Sequence, residues 1–211
     1  MADRSLFNIV VLGAMNPRIH HPHWYRQVGL ISQQELEEAL HAIDTIATPP
    51  LSQFRISSFL IQCQEQRWEI QSSSLEHIDR LTELASHVFD DLLKHTPVSR
   101  FGFNYMIWKT VECENVSKRL ADILPPASLG LDRTALLAEM KWTIPLNSHQ
   151  KNIVLRGGET PSQVFISIND DFKPPEEAGF FDMKEKLQST LPAVREWWEV
   201  MERLIRVLEK K

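Results

Sequence analysis

Three histidines within four positions, His20, His21 and His23, carry the most conspicuous chemistry in this sequence. Neutral imidazole is a good ligand for Zn, Cu, Fe or Ni. His20 and His23 could share one ion if Pro22 turned the backbone between them. A catalytic zinc normally takes three protein ligands and keeps one position open. The chain has neither an HExxH nor an HxE followed by PCxxC to complete such a set. In extended backbone the neighbours His20 and His21 would also point to opposite faces. His20 and His23 are thus the metal candidates of a loop in which no metal is expected. Its prolines, Trp24 and Tyr25 are expected to pack it onto the domain. A long proline-punctuated loop in a compact domain usually has a task, and Arg, Trp and Tyr are enriched in interface hot spots. Arg18, His20, His21, His23, Trp24, Tyr25 and Arg26 therefore read as a partner-contact loop.

Other constellations are weaker. Arg156-Gly157-Gly158-Glu159-Thr160-Pro161 is glycine-rich but lacks GxxxxGK[ST] and joins two strand-like runs, which makes it a turn. Asn169-Asp170-Asp171 with Glu176, Glu177 and Asp182 is an acidic cluster without the EF-hand spacing, and reads as a solvated strand-to-helix loop. There is no GxSxG, no SxxK, no reactive-cysteine signature and no Rossmann fingerprint. No cofactor is implied. Cys63 and Cys113 are far apart, inside strand-like runs, and read as reduced thiols. The six tryptophans include Trp142 and the pair Trp197-Trp198, at spacings that favour core over an aromatic platform.

The elements that must position these residues are well punctuated. Leu6–Leu12 is an apolar run of strand length. Ser32-Gln33-Gln34-Glu35 fits a capping box, with Ile31 and Leu36 as the hydrophobic staple and Leu36, Ala39, Leu40 and Ile43 as the buried stripe. Phe54–Cys63 and Arg67–Ser72 read as a hairpin turning at 64–66. Ser73-Ser74-Leu75-Glu76 reads as a second box, opening a helix with Ile78, Leu81, Ala85, Val88, Phe89 and Leu92 inward. Then come a strand, Arg100–Glu112, a helix, Asn115–Leu124, and an alternating run, Thr134–Leu146, whose first five residues also suit a helix. A hairpin follows, with strands Asn152–Arg156 and Gln163–Asn169, and then a C-terminal helix inside whose apolar pattern Pro192 either opens or kinks it.

The order strand, short helix, hairpin, long helix thus occurs twice, at about 6–95 and 100–209. One α+β domain spanning 1–211 is expected: an antiparallel sheet with two long helices on one face, built from two topologically similar halves. The second face is left to solvent, a groove or a partner.

Arg100-Phe101-Gly102-Phe103-Asn104-Tyr105, leading a long strand after a helix, resembles a recurrent feature of a sporadically distributed, uncharacterised bacterial family. The strand–hairpin–helix order before it is also similar, and the resemblance covers the middle third of the chain. That family occurs in mobile and phage-defence gene neighbourhoods. The resemblance implies a subunit of an antiviral defence system and assigns no catalytic residue.

A net charge of −5 argues against a generic nucleic-acid or anionic-membrane binder, which needs a positive field. No apolar run reaches the roughly 20 residues of a membrane span, and Leu6–Leu12 is short for a signal peptide and followed by Asn16-Pro17-Arg18. A cytoplasmic, noncatalytic binding or assembly module is expected, engaging a protein partner or itself as a homo-oligomer or complex subunit. Two alternatives stand beside it: a metal-dependent hydrolase using His20, His21 and His23, and a nucleic-acid-binding saddle gripping phosphates through Arg18, Arg26, Arg55 and Arg67.

Overall fold

The computed structural model describes residues 3–123, 139–146, 149–173 and 183–209. Its centre is strand β1, Arg4–Gly13. Phe7, Ile9 and Val11 are buried on one side, while Leu6, Asn8, Val10 and Leu12 take the other. β1 pairs antiparallel with β5, Arg67–Ser72, on one edge and with β6, Val98–Thr110, on the other. Beyond β5 lie β4, Phe59–Gln64, β3, Leu51–Ile56, and the short β2, Ile46–Thr48. Beyond β6 lie β9, Gln163–Phe172, β8, Gln150–Gly157, and β7, Glu139–Pro145. The nine described strands form one antiparallel sheet in the order β2-β3-β4-β5-β1-β6-β9-β8-β7.

The expected single strand from Phe54 to Cys63 is two strands. Ile56 pairs with Phe59 across a two-residue turn, with Ser57 in the left-handed region at φ 49°. The apolar parity shows why. Phe54 and Ile56 face the core from even positions, Phe59, Ile61 and Cys63 from odd ones. A phase change in a period-two pattern marks a turn, because one strand cannot switch faces.

Helices cover one side. α2, Gln33–His41, packs on β3, and α3, Ile78–Ser86, packs on β1 and β5. α4, Val116–Ile123, packs on β8, and α5, Met183–Glu209, on β9 and on α3. Their buried residues join Phe7, Ile9, Val11, Phe101 and Phe103 in one core cluster. The capping box of α2 forms: Ser32 Oγ accepts from the Glu35 amide at 3.1 Å, and the Glu35 carboxylate accepts from the Ser32 amide at 2.7 Å. Only Leu36 and Ala39 of its stripe are buried, with Leu40 and Ile43 exposed.

The second expected box does not form. A 3-10 turn, Leu75–His77, precedes α3, which continues as a π-helical segment, His87–Leu92. α5 starts well before Pro192, which lies inside it. Its first amides are capped from afar: those of Met183 and Lys184 donate to the Asp90 carboxylate at 3.0 and 2.7 Å. A cap supplied 93 positions away leaves no local signature. Leu187, Trp197, Met201, Ile205 and Leu208 form its buried stripe; the side chains of Val194 and Trp198 lie outside the described residues, as do positions 134–138. Among the described residues, no helix is long and apolar enough to cross a membrane.

Candidate functional site

The histidine-proline segment is not all loop. Pro22 at the first helical position and His21 as N-cap open a short helix, α1, Pro22–Gln27. His20 lies inside the protein, 1% exposed. Its Nδ1 is 3.0 Å from the Tyr25 hydroxyl, and that hydroxyl accepts from Trp68 Nε1 at 3.0 Å. With Trp68 donating, the tyrosine proton goes to His20 Nδ1, which assigns the imidazole as neutral with its own proton on Nε2. Burial holds the His20 pKa down at about 4. The carbonyl of His20 also accepts from Ser52 Oγ.

His21 and His23 are brought together outside this network, their rings stacked with centroids 5.3 Å apart, while His20 is turned into the core. Among the described residues, no three His, Cys, Asp or Glu side chains are grouped to hold a metal ion. Arg18, His23 and Arg26 are exposed, and Trp24 is half-buried, edge-on to His20 at 5.7 Å. The residues expected to contact a partner thus divide: His20 and Tyr25 are buried, and Arg18, His21, His23, Trp24 and Arg26 reach the surface.

The sheet face away from the helices carries a different set. Asn8 on β1 lies opposite Asn104 on β6, Asn104 opposite Asn169 on β9, Asn169 opposite Asn152 on β8, and Asn152 opposite Thr143 on β7. Cross-strand neighbours on one face are close enough to bond side chain to side chain. Thr143 Oγ1 donates to Asn152 Oδ1 at 2.9 Å, Asn152 Nδ2 to Asn169 Oδ1 at 3.2 Å, and Asn169 Nδ2 to Asn104 Oδ1 at 2.7 Å. On the far side Asn8 Nδ2 donates to Glu69 Oε1 at 2.5 Å.

Next to this row, Val10, Gly102 and Asp171 lie side by side, and in the row beyond, Leu12 sits between Arg67 and Arg100. Gly102 keeps the floor low. A Cβ there would stand 3.0 Å from Asn169 Nδ2 and 3.1 Å from the Asp170 carbonyl oxygen. The result is a groove of about 460 Å³. Its guanidinium groups are each balanced: Arg67 Nη2 is 2.7 Å from Glu69 Oε2, and Arg100 Nε is 3.1 Å from Asp171 Oδ1.

The motif Arg100–Tyr105 is explained by this geometry. Arg100, Gly102 and Asn104 face the groove, and Phe101, Phe103 and Tyr105 are buried under the helices. The asparagines escape a sequence reading because they are neutral and up to 161 positions apart (169 − 8). One signal existed: Asn8 interrupts an otherwise apolar strand.

The acidic run 169–171 is strand, not solvated loop, and its members alternate between faces. Asp171 faces the groove. Asp170 is buried on the helix side, its Oδ1 3.2 Å from His149 Nε2. His149 stacks on Phe172, and Lys151 Nζ sits 3.5 Å over the Trp197 ring. Burial raises the Asp170 pKa to about 7, against the opposing pull of Lys151. Glu176, Glu177 and Asp182 lie outside the described residues. The glycine run is the expected β8–β9 turn, with Gly158 N donating to the Gln163 carbonyl at 2.6 Å. Cys63 and Cys113 are free thiols, and burial pushes Cys63 up to about 12.

Among known proteins, no family model matches the chain and no curated protein matches it.

Proposed function

We propose that this protein is a noncatalytic binding or assembly module, a cytoplasmic subunit of a bacterial defence complex, that engages a protein partner through its open sheet face. The observation that carries this reading is the groove at the centre of a nine-stranded sheet, on the side away from the helices. Concave sites with a few convergent polar groups are where ligands bind. The exposed part of the histidine loop, Arg18, His21, His23, Trp24 and Arg26, supplies a second contact region. We propose further that the domain consists of two topologically similar halves, about 6–95 and 100–209, meeting at β1 and β6. In support, β5 returns to pair with β1 as β9 returns to pair with β6.

The alternatives have less behind them. Of the four arginines proposed to grip phosphates, Arg55 is held by Asp44 at 3.0 Å and Arg67 by Glu69. The hydrolase reading needs His20, whose imidazole is engaged by Tyr25 in the core.

A photo-crosslinking residue at Met106, on the groove rim, tests the proposal in the native host, with the same residue at the exposed Val207 of α5 as control. A single protein adduct is expected from position 106, absent from 207 and lost when Gly102→Leu fills the groove. Adducts to nucleic acid, or an adduct unaffected by Gly102→Leu, would overturn it. Sedimentation equilibrium shows whether that partner is a second copy of the chain.

A further inference from the structure

The asparagine row is a chain of amides polarised in one direction, and it is broken at one place. Each link from Thr143 to Asn104 has its donor on the strand nearer β7 and its acceptor one strand nearer the centre. Asn104 Oδ1 is taken, which leaves its Nδ2 without a partner among the described residues. Directly across the strand pair, Asn8 is 5% exposed and its Oδ1 is a buried acceptor with no donor. The orientation of Asn8 is fixed chemically. Its other terminal atom meets Glu69, a carboxylate already accepting from Arg67, and an ionised carboxylate only accepts. The orphaned atom is therefore the oxygen. Buried polar atoms are nearly always paired, and one that is not calls for an explanation.

We infer that the gap between Asn8 and Asn104 is a carboxamide subsite, which takes the side chain of an asparagine or glutamine from a protein partner. A primary carboxamide carries one donor for Asn8 Oδ1 and, beside it, one acceptor for Asn104 Nδ2. It continues the amide ladder with a group of the same kind. Stacked amide ladders of this sort stabilise β structures elsewhere. Charge selects in the same direction: both arginines of the groove are matched by carboxylates, so a charged side chain finds no uncompensated counter-ion there. The groove, about 460 Å³, accommodates a side chain and not only a water molecule, whose share of liquid volume is about 30 Å³.

This inference rests on the reading of the open face as a protein-binding surface, and its test is separable from that one. The probe is N-acetylglutamine methylamide, titrated into the full chain while the side-chain amide signals of Asn8 and Asn104 are followed by ¹H–¹⁵N NMR. Saturable shifts at both are expected, with N-acetylglutamate methylamide at least about tenfold weaker. Asn8→Leu should remove the response at Asn104; if that variant fails to fold, Asn104→Ser should remove the response at Asn8. Equal binding of the glutamate probe, or shifts that bypass both asparagines, would overturn the inference. Tighter binding of adenosine, whose base edge carries the same donor–acceptor pair, would also overturn it and move the site to nucleic acid. A crosslink at Met106 without an amide response would leave the protein-binding face standing and remove only the subsite.

Discussion

The histidine segment and the asparagine row are both polar clusters set into apolar surroundings, yet they end in opposite states. The Tyr25 hydroxyl is matched on both sides: Trp68 donates to it, His20 accepts from it, and Ser52 holds the backbone of His20. In the groove the amides bond one another up to Asn104, and then the chain of donors stops short of Asn8. Fully satisfied buried networks rigidify a core, whereas an unsatisfied group costs stability and points to a use elsewhere. Residue type alone misleads here. The three histidines look reactive and one of them is core, while the neutral asparagines look inert and are left open.

That contrast can be broken at its satisfied end. Trp68 is fully buried, so Trp68→Ala should lower stability by about 3–5 kcal/mol, the range for large aromatic truncations, measured by urea denaturation. Titration should show the next largest effect. His20 has its folded-state pKa lowered to about 4, so its contribution is fully present above the unfolded value near 6.5. That contribution is lost as pH falls from 6.5 through 4, and amounts to about 3 kcal/mol at most. Denaturation curves at pH 7 and pH 4 should show that slope reduced in His20→Asn; an unchanged slope would mean that His20 is not buried in its neutral form. Tyr25→Phe keeps the ring and removes the hydroxyl, stranding Trp68 Nε1. About 2 kcal/mol should be lost, read from the denaturation midpoint, and a loss near zero would mean that the network is not closed in solution.

A pH effect of opposite sign belongs to Asp170. Its pKa is raised to about 7, so its contribution is present below the unfolded value near 3.8 and lost as pH rises through 7. Asp170→Asn should therefore be more stable than the parent chain at pH 8, by about 1–2 kcal/mol, with the gap closing towards pH 4.

The sequence made the layers legible because their causes are local. The apolar run Leu6–Leu12, the Ser32–Glu35 box and the turn at Gly157-Gly158 each lie within a few residues, and each is found where expected. What it concealed depends on tertiary contacts. The start of α5 is set by Asp90, α1 is capped by a histidine, and the groove is assembled from residues of β1, β5, β6 and β9. Strand pairing alone brings Asn8, Asn104, Asn152 and Asn169 into one row, and no spacing in the chain announces it. The break between β3 and β4 was readable in the parity of Phe54, Ile56, Phe59 and Ile61.

The smallest expected effect bears most directly on the central claim, that the acceptor on Asn8 is unmatched within the free protein. Asn8→Leu removes a buried oxygen without a donor and places apolar volume in a site that is 5% exposed, and it also removes the amide donor to Glu69, which Arg67 still holds. The account predicts that relief of the unmatched oxygen offsets the lost bond to Glu69, so that Tm in calorimetry shifts by no more than about 2–4 °C, the change that about 1 kcal/mol makes in a domain of this size. It predicts as well that the same variant no longer responds to the carboxamide probe. A Tm that falls by more than about 4 °C, with the probe still bound, would contradict the account, because Asn8 would then be one more satisfied core residue like Tyr25.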